Sequence, residues 1–453
     1  MKVLLISANH FQVPYPVFPL GLDYVAGAIA PHQARILDLC PTVPDAEARA
    51  IAEAVGEFAP DVVGISLRNI DNTDASDLKA FMGDMRRVVD SVRGQTRAPV
   101  VLGGAGYTLF PSELLEALGA DYGVVGEGEW FKGLLDALEA GGGRLLGAPP
   151  KSVAARGRPA PQPVPFMGRI RRSAPELNPL LPWYLRYGGM LSLQTQRGCP
   201  FRCAYCTYPT IEGAAARPLD LEQVASTARA LQDAGARFLF ITDSTFNADP
   251  QHGFRVAGAF KKAGLSVPWS AFFTPVPMPD GYYEALAEAG CTHVEFGTDT
   301  LCDEMLARDQ KPFRFADVQA AHAAARKAGL FVAHFMLFGG PGETSQTVQE
   351  ALDRCETLPE TAFFFFCGMR IYPDTDLHRL ALAEGQISPG QNLLEPVFYK
   401  PQSLSTDEIT RQVVAHARGR PRFVVGGGGE RFARLQWRQY ERGNFGPLWE
   451  RLT

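Results

Sequence analysis

The stretch QRGCPFRCAYCTYP, residues 196–209, places three cysteines within eight positions: Cys199, Cys203 and Cys206. A structural zinc site usually takes four ligands, and the nearest histidines, His252 and His293, lie too far along the chain for a standard knuckle. A redox C-x-x-C pair would use only the last two cysteines and leave the first unexplained. A cubane iron–sulfur cluster normally takes four thiolates, so three would leave one iron open. The spacing therefore favours an open cluster over an unusual zinc site, which stays the alternative.

The rest of the composition is that of an ordinary globular protein. The chain has 453 residues, of which 46% are hydrophobic and 21% charged, with a net charge of −5 at pH 7. This balance offers no basic field for nucleic acid or an anionic membrane. The longest apolar stretch, near residues 363–367, is far below the roughly 20 residues that a membrane span requires, and the first residues predict a β-strand rather than a signal peptide. We expect a cytoplasmic protein.

The sequence CPFRCAYC, residues 199–206, resembles the C-x₃-C-x-Φ-C loop of the radical S-adenosylmethionine (SAM) enzymes, with Tyr205 as the aromatic residue Φ. In that family the loop follows the first strand of a partial (β/α)₆ barrel. The resemblance implies that Cys199, Cys203 and Cys206 hold a [4Fe–4S] cluster whose open iron binds the amino and carboxylate groups of SAM. It also implies an electron donor such as flavodoxin or ferredoxin.

Strand-like and helix-like segments alternate around and after this loop. The predicted strands are residues 190–198, 237–244, 267–273, 292–299, 330–340 and 361–373. Strict alternation of this kind predicts a parallel sheet, and six strands is the number that the resemblance implies. We therefore predict a TIM-like radical SAM barrel over residues 186–400.

Polar residues stand at the ends of these strands, where the active sites of such barrels gather. The candidates, at positions from which the family contacts SAM, are Asp243, Glu295, Asp299 and Arg370. Carboxylates at such ends also cap turns and helices, and Arg370 would alternatively form an ion pair across the barrel top. The turn GGPGET contains Gly339 and Gly340 but lacks the lysine of a phosphate loop. In the family, a glycine-rich turn at this strand lies near SAM.

Five short apolar strands separated by helical stretches fill the N-terminal third. They are residues 3–8, 34–39, 61–67, 99–106 and 121–128. The pattern predicts a doubly wound, Rossmann-like α/β domain over residues 1–140, with ligands at the carboxyl ends of its strands. The dinucleotide fingerprint G-x-G-x-x-G is absent, which disfavours NAD.

This region resembles the cobalamin-binding domain that precedes the barrel in cobalamin-dependent radical SAM enzymes. The matching stretches include MKVLLISA (residues 1–8) and VVLGGAGYTLFPSELL (residues 100–115). The loop residues expected to approach the corrin and its nucleotide tail are Arg68, Asn69, Gly103 and Gly104. The D-x-H-x-x-G motif that supplies an axial histidine is missing, and His10 has the wrong neighbours. Because radical-type members generally lack that histidine, the resemblance implies cobalamin without histidine ligation.

Two further segments complete the predicted organisation. Residues 141–185 are rich in proline, glycine and arginine and are predicted to form a linker. Residues 401–453 are predicted to form a small C-terminal helical segment that packs on the barrel or over its substrate mouth.

The resemblance implies that reduction of SAM yields methionine and a 5′-deoxyadenosyl radical, and that methylation is the commonest outcome in the cobalamin-bearing class. Cobalamin-dependent methylation of an unactivated carbon, or of phosphorus, in a small biosynthetic molecule is the leading hypothesis. Radical chemistry without methyl transfer is the second: cyclisation, rearrangement or transfer of the 3-amino-3-carboxypropyl group of SAM. A non-catalytic iron–sulfur or cobalamin-sensing module is the third.

Overall fold

Two large, mainly parallel sheets, one in each half of the chain, organise the protein in a computed structural model. The structure describes residues 1–453, apart from the side chains of residues 430 and 431. Among the described residues, none of the helices combines the length and the apolar character that a membrane crossing needs.

The first sheet is built from six strands. They are β1 (Lys2–Ser7), β2 (Gln33–Asp38), β3 (Val62–Ser66), β4 (Val100–Gly103), β5 (Tyr122–Val124) and β6 (Val153–Ala155). Their order across the sheet is β2-β1-β3-β4-β5-β6, and only β6 runs antiparallel to its neighbour. The order reverses between β1 and β3, which is the switch point where doubly wound folds bind ligands. The doubly wound prediction is confirmed, and β6 extends the sheet into the segment predicted as a linker.

Six helices cover this sheet: α1 (Leu20–Ala28), α2 (Pro44–Phe58), α3 (Met82–Gln95), α4 (Ala105–Leu109), α5 (Pro111–Leu118) and α6 (Phe131–Ala140). Because helices cover both faces of the sheet, the sequences of its central strands are continuous apolar runs. Val3, Leu4, Leu5 and Ile6 in β1 are accordingly all buried. The carboxyl ends of β1, β3 and β4 remain as the edge that can accept a ligand.

The second half contains a seven-stranded sheet and one short antiparallel pair. The strands in chain order are β7 (Leu191–Leu193), β8 (Gln196–Arg197), β9 (Arg217–Pro218), β10 (Leu239–Ile241), β11 (Trp269–Phe273), β12 (Cys291–Asp299), β13 (Phe331–Phe338), β14 (Thr361–Cys367) and β15 (Phe423–Val425). The pair is β8 and β9, and the sheet runs β7-β10-β11-β12-β13-β14-β15, parallel throughout. The six-stranded barrel prediction is confirmed, and β15 from the C-terminal segment adds a seventh strand.

The helices of this half are α7 (Leu181–Tyr187), α8 (Tyr208–Ile211), α9 (Leu221–Asp233), α10 (Pro250–Lys262), α11 (Tyr282–Glu288), α12 (Asp303–Arg308), α13 (Phe315–Lys327), α14 (Ser345–Cys355), α15 (Asp376–Ala383), α16 (Thr406–Ala417) and α17 (Gly429–Glu441). Several begin at a residue whose side chain accepts a hydrogen bond from a free backbone N–H, as helix starts prefer. The capping residues are Asp220, Asp249, Thr344, Thr375 and Ser405.

The chain ends inside the barrel rather than over its mouth. A single 3₁₀ turn, Trp449–Leu452, packs against Ala333, Ala362 and Phe364. Ala333 and Ala362 lie near the beginnings of β13 and β14, at the end of the barrel opposite the strand carboxyl ends. The Trp449 turn therefore packs inside the barrel near the amino-terminal ends of β13 and β14.

Candidate active site

The three cysteines lie on the loop between β8 and α8. All three are free thiols; Cys199 is buried, and Cys203 and Cys206 are half-buried. The Cys206 N–H donates to the Cys203 carbonyl at 3.0 Å, and the Cys199 N–H donates to the Gly213 carbonyl at 3.1 Å. Gly198 precedes the loop with φ +83, and a Cβ there would lie 2.2 Å from the Ala215 carbonyl oxygen. Only glycine fits this turn, so local backbone packing fixes where the loop begins.

The chemistry of the donor set fits an iron–sulfur cluster. Burial raises the pKa of all three thiols, to about 12 at Cys206. Thiolate is the form that binds metal, so these thiols need a strongly cationic partner to lose their protons. A cluster bound by three thiolates supplies that partner and keeps one iron for another ligand.

A buried polar cluster adjoins this loop. The Tyr205 hydroxyl donates to the Asp299 carboxylate, which also forms an ion pair with Lys311. The side chains of Lys311 and Asp299 are only 6% and 8% exposed. Asp299 ends β12 with φ +62, where the register with β13 shifts. Lys311 is not among the site residues predicted from the sequence, because no sequence motif marks a lysine in the loop between α12 and α13.

A cavity of about 480 Å³ lies between the first domain and the barrel. Six residues predicted from the sequence meet at its wall: Arg68, Asn69, Tyr205, Cys206, Asp299 and Arg370. The barrel also contributes Phe335, Phe366 and Tyr372. The loop that would hold the cluster and the loop of the cobalamin-type domain thus face the same space.

A second cavity, of about 200 Å³, lies at the carboxyl edge of the first sheet and includes Gly103 and Gly104 in its wall. Ala105 and Ile211 line both cavities, so the two cavities adjoin. Gly104 has φ +101, and a Cβ there would lie 2.6 Å from the Leu67 carbonyl oxygen. This glycine edge leaves the backbone open to a ligand, which is where the sequence predicts the approach of a corrin nucleotide tail.

Asp243 anchors the segment that leads into the cysteine loop. It is fully buried and accepts hydrogen bonds from the backbone N–H groups of Thr195, at 2.7 Å, and Gln196, at 3.2 Å. Burial raises the pKa of Asp243 to about 7. Its partners among the described contacts are groups of the protein. Asp243 therefore has a structural role, the alternative that the sequence analysis left open for carboxylates at strand ends.

Arg370 is likewise engaged by the protein. Its Nε donates to Asp71 at 3.1 Å, and its terminal nitrogens donate to the carbonyls of Ile371 and Leu393, each at 2.7 Å. The ion pair that the sequence offered as the alternative for Arg370 is thus present, and its partner comes from the first domain. Arg370 also lines the cavity, and its contact with SAM stays a prediction.

Glu295 points into the barrel interior and accepts a hydrogen bond from Trp449 Nε1 at 2.9 Å. Burial raises the pKa of Glu295 to about 7. Gly339 donates its N–H to Glu343 at 3.2 Å, and a Cβ on Gly340 would lie 3.0 Å from Met369, so this turn stands behind the cavity wall. His10 Nε2 lies 2.8 Å from Glu47.

Comparison with known proteins matches both halves of the chain. Residues 193–355 match the Radical SAM superfamily, and residues 7–134 match the B12 binding domain. The tryptophan 2-C-methyltransferase of Streptomyces laurentii is 28% identical over 452 residues, which cover 84% of this chain and 74% of that protein. An uncharacterised methyltransferase of Pyrococcus horikoshii is 27% identical over 396 residues, covering 84% of this chain and 83% of the relative.

Solved structures agree with the sequence relatives. The radical SAM methyltransferase TsrM from Kitasatospora setae, with cobalamin and a [4Fe–4S] cluster bound, superposes with a TM-score of 0.77 at 26% identity, covering 91% of this chain and 84% of that one. The same enzyme with tryptophan and a SAM analogue bound gives a TM-score of 0.79 at 23% identity, covering 97% and 98%. The predicted cofactor set of [4Fe–4S] cluster, SAM and cobalamin is confirmed, and the zinc alternative falls away. The chain thus combines a Radical SAM domain with a B12 binding domain, as the resemblance to cobalamin-dependent radical SAM enzymes implies.

Proposed function

We propose that this protein transfers a methyl group from SAM, through cobalamin, to an unactivated carbon of a small molecule that contains an aromatic ring. The observation that carries the proposal is the 480 Å³ cavity, because the first-domain loop at Arg68 and the cluster loop at Tyr205 both line it. Transfer of a methyl group from SAM to cobalamin and then to the substrate requires that all three bind close together. Holding reactants in the right orientation supplies much of an enzyme's rate enhancement.

When bound, the cluster delivers an electron to SAM and the cobalamin carries the methyl group. The chain holds the cluster through Cys199, Cys203 and Cys206. Tyr205 and Asp299 stand beside that loop at the cavity wall, where they can hydrogen-bond the polar groups of SAM. Arg68 and Asn69 on the opposite side can contact the corrin, and the glycine edge at Gly103 and Gly104 lets its tail approach the backbone.

The aromatic wall of the barrel supports the substrate class. Phe335 and Phe366 line the cavity, and the Phe272 ring lies 6.2 Å from that of Phe335 and is 38% exposed. An apolar wall of this kind also excludes water from reactive groups.

The named activity of the Streptomyces relative makes tryptophan the first substrate to test. The reaction requires electrons of low potential, so we further propose a flavodoxin or ferredoxin as the donor and the cytoplasm as its location. The net charge of −5 offers no basic field for nucleic acid, and the proposal includes no nucleic-acid partner.

The proposal is tested with protein reconstituted without oxygen with iron, sulfide and hydroxocobalamin. The protein receives L-tryptophan, a reductant and SAM that carries a trideuteriomethyl group, and the products are read by mass spectrometry. We expect S-adenosylhomocysteine together with a trideuteriomethylated product, both absent from protein without cobalamin. Labelled product from another aromatic compound would keep the function and change the substrate. Cleavage of SAM to 5′-deoxyadenosine without any S-adenosylhomocysteine would favour radical chemistry without methyl transfer.

A further inference from the structure

Lys311 is a buried lysine beside the cysteine loop that the proposed function does not use. Besides its ion pair with Asp299, its ammonium lies 3.3 Å from the Tyr205 hydroxyl and 5.5 Å from the centre of the Tyr205 ring. Its positive charge also acts to lower the pKa of the three loop thiols, Cys199, Cys203 and Cys206. A buried ammonium is unfavourable unless it is paired. Here its partners are the Asp299 carboxylate and Tyr205, which lies within the metal-binding loop between Cys203 and Cys206.

The turn that carries Lys311 is also fastened to the loop through the backbone. The Ala204 N–H donates to the Asp309 carbonyl at 3.0 Å, and the Leu377 N–H donates to the Ala204 carbonyl at 2.9 Å. Gln310, between Asp309 and Lys311, has φ +56, so the turn is tight. Lys311 is therefore held at a fixed position relative to Cys203 and does not move as a surface lysine would.

We propose that Lys311 is a positioning residue whose fixed positive charge raises the reduction potential of the [4Fe–4S] cluster. A cluster bound by three thiolates gains one more negative charge when it accepts an electron from the donor. A nearby cation stabilises that reduced form more than the oxidised form, and charge and hydrogen bonds at the sulfur atoms are known to set such potentials. No bond forms or breaks at Lys311, and the proposal holds whichever substrate the enzyme takes.

The test is a redox titration of the reconstituted protein without SAM, followed through the electron paramagnetic resonance signal of the reduced cluster. At the midpoint potential of the natural protein, Lys311→Met should lower the ratio of reduced to oxidised cluster about tenfold, which is a shift of about 59 mV for one electron. Lys311→Arg keeps the charge and should leave the ratio within about twofold of the natural value. Asp299→Asn removes the opposing charge and should shift the midpoint in the positive direction.

Opposite shifts in the Lys311 and Asp299 variants separate a charge effect from a disturbed loop, which would move both midpoints the same way. Iron analysis of every variant shows whether the cluster is loaded. Lys311→Gln, with a smaller polar side chain, replaces the methionine variant if that one fails to bind iron. An unchanged midpoint in a fully loaded uncharged variant overturns the proposal. Loss of iron from both uncharged variants but not from Lys311→Arg also overturns it, because Lys311 would then hold the loop instead of setting the potential.

Discussion

Arg370 at the end of β14 donates from its Nε to Asp71 of the first domain at 3.1 Å, and both side chains are buried. The pair joins the two halves of the protein beside the 480 Å³ cavity, which Asp71 and Arg370 both line. Asp71 also accepts the N–H of Thr73 at 2.8 Å, so it organises the first-domain loop that lines the cavity. The ion pair thus joins the first-domain loop at Asp71 to the segment that follows β14.

Breaking this pair should destabilise the protein. Asp71→Asn leaves the buried Arg370 guanidinium without a counter-charge, and we expect a loss of roughly 3 kcal/mol in the free energy of unfolding. Urea denaturation measures the loss, and a double-mutant cycle with Arg370→Met isolates the coupling between the two residues. Asp84→Asn, which breaks a surface ion pair with Arg87, is the control and should change nothing measurable. Purely additive effects of the two buried substitutions would contradict the coupling.

The buried carboxyl of Glu295 should make stability depend on pH. Because burial raises its pKa from 4.5 to about 7, the folded state holds this proton more tightly than the unfolded chain does. The stabilisation from Glu295 is therefore fully present below about pH 4.5 and is lost as the pH rises to about 7. Glu295→Gln removes the titration while keeping an acceptor for Trp449 Nε1.

The measurement is the difference in unfolding free energy between Glu295→Gln and the natural protein across that pH range. We expect the variant to gain up to about 3 kcal/mol relative to the natural protein between low and neutral pH. Taking the difference cancels Asp243, whose raised pKa acts in the same direction. A difference that stays constant with pH would show that Glu295 is charged throughout.

Filling the smaller cavity should block cobalamin and spare the cluster. A Cβ on Gly103 would meet nothing closer than the Val124 carbonyl oxygen at 4.0 Å, so Gly103→Leu can fold and extend its side chain into the space. We expect cobalt content after reconstitution to fall at least about tenfold while iron content is unchanged, since overfilling a site costs about 1–3 kcal/mol. Gly103→Ala is the matched control and should retain cobalt. Full cobalt in the leucine variant would place the tail elsewhere.

Removing one loop thiol should remove the cluster. Cys203→Ala leaves two thiolates where the cubane needs three, so we expect the iron content and the visible absorption of the cluster to be lost. Cys302→Ala changes a buried cysteine outside the loop and should keep full iron. Retained iron in the Cys203 variant would mean that another residue ligates the cluster.

The sequence predicts the parts of this enzyme that depend on neighbouring residues. The spacing of Cys199, Cys203 and Cys206 and the alternation of strands and helices are local patterns, so the loop, the two sheets and the family could be predicted. The partners of the predicted polar residues could not. Arg370 pairs with Asp71, which lies 299 residues away in the sequence, and Glu295 accepts a hydrogen bond from Trp449, which lies 154 residues away.

Lys311 shows the same limit more sharply. The ammonium reaches Tyr205 across 106 positions, and it does so because the turn after α12 docks on the cysteine loop through Asp309 and Ala204. A single sequence carries no periodicity or motif for that docking. The positions of the strand ends predicted where functional groups gather. Only the three-dimensional fold determines which of those groups line the cavity and which form contacts within the protein.

A single turnover without substrate shows whether cobalamin takes a methyl group from SAM in this protein. Cobalamin-loaded protein, SAM and reductant are mixed without oxygen, and S-adenosylhomocysteine is measured against the cobalt content. We expect a burst of S-adenosylhomocysteine whose molar amount equals that of the cobalt. The burst should be absent in Gly103→Leu. Cobalt-loaded protein that cleaves SAM only to 5′-deoxyadenosine, with no such burst, would contradict the proposed function.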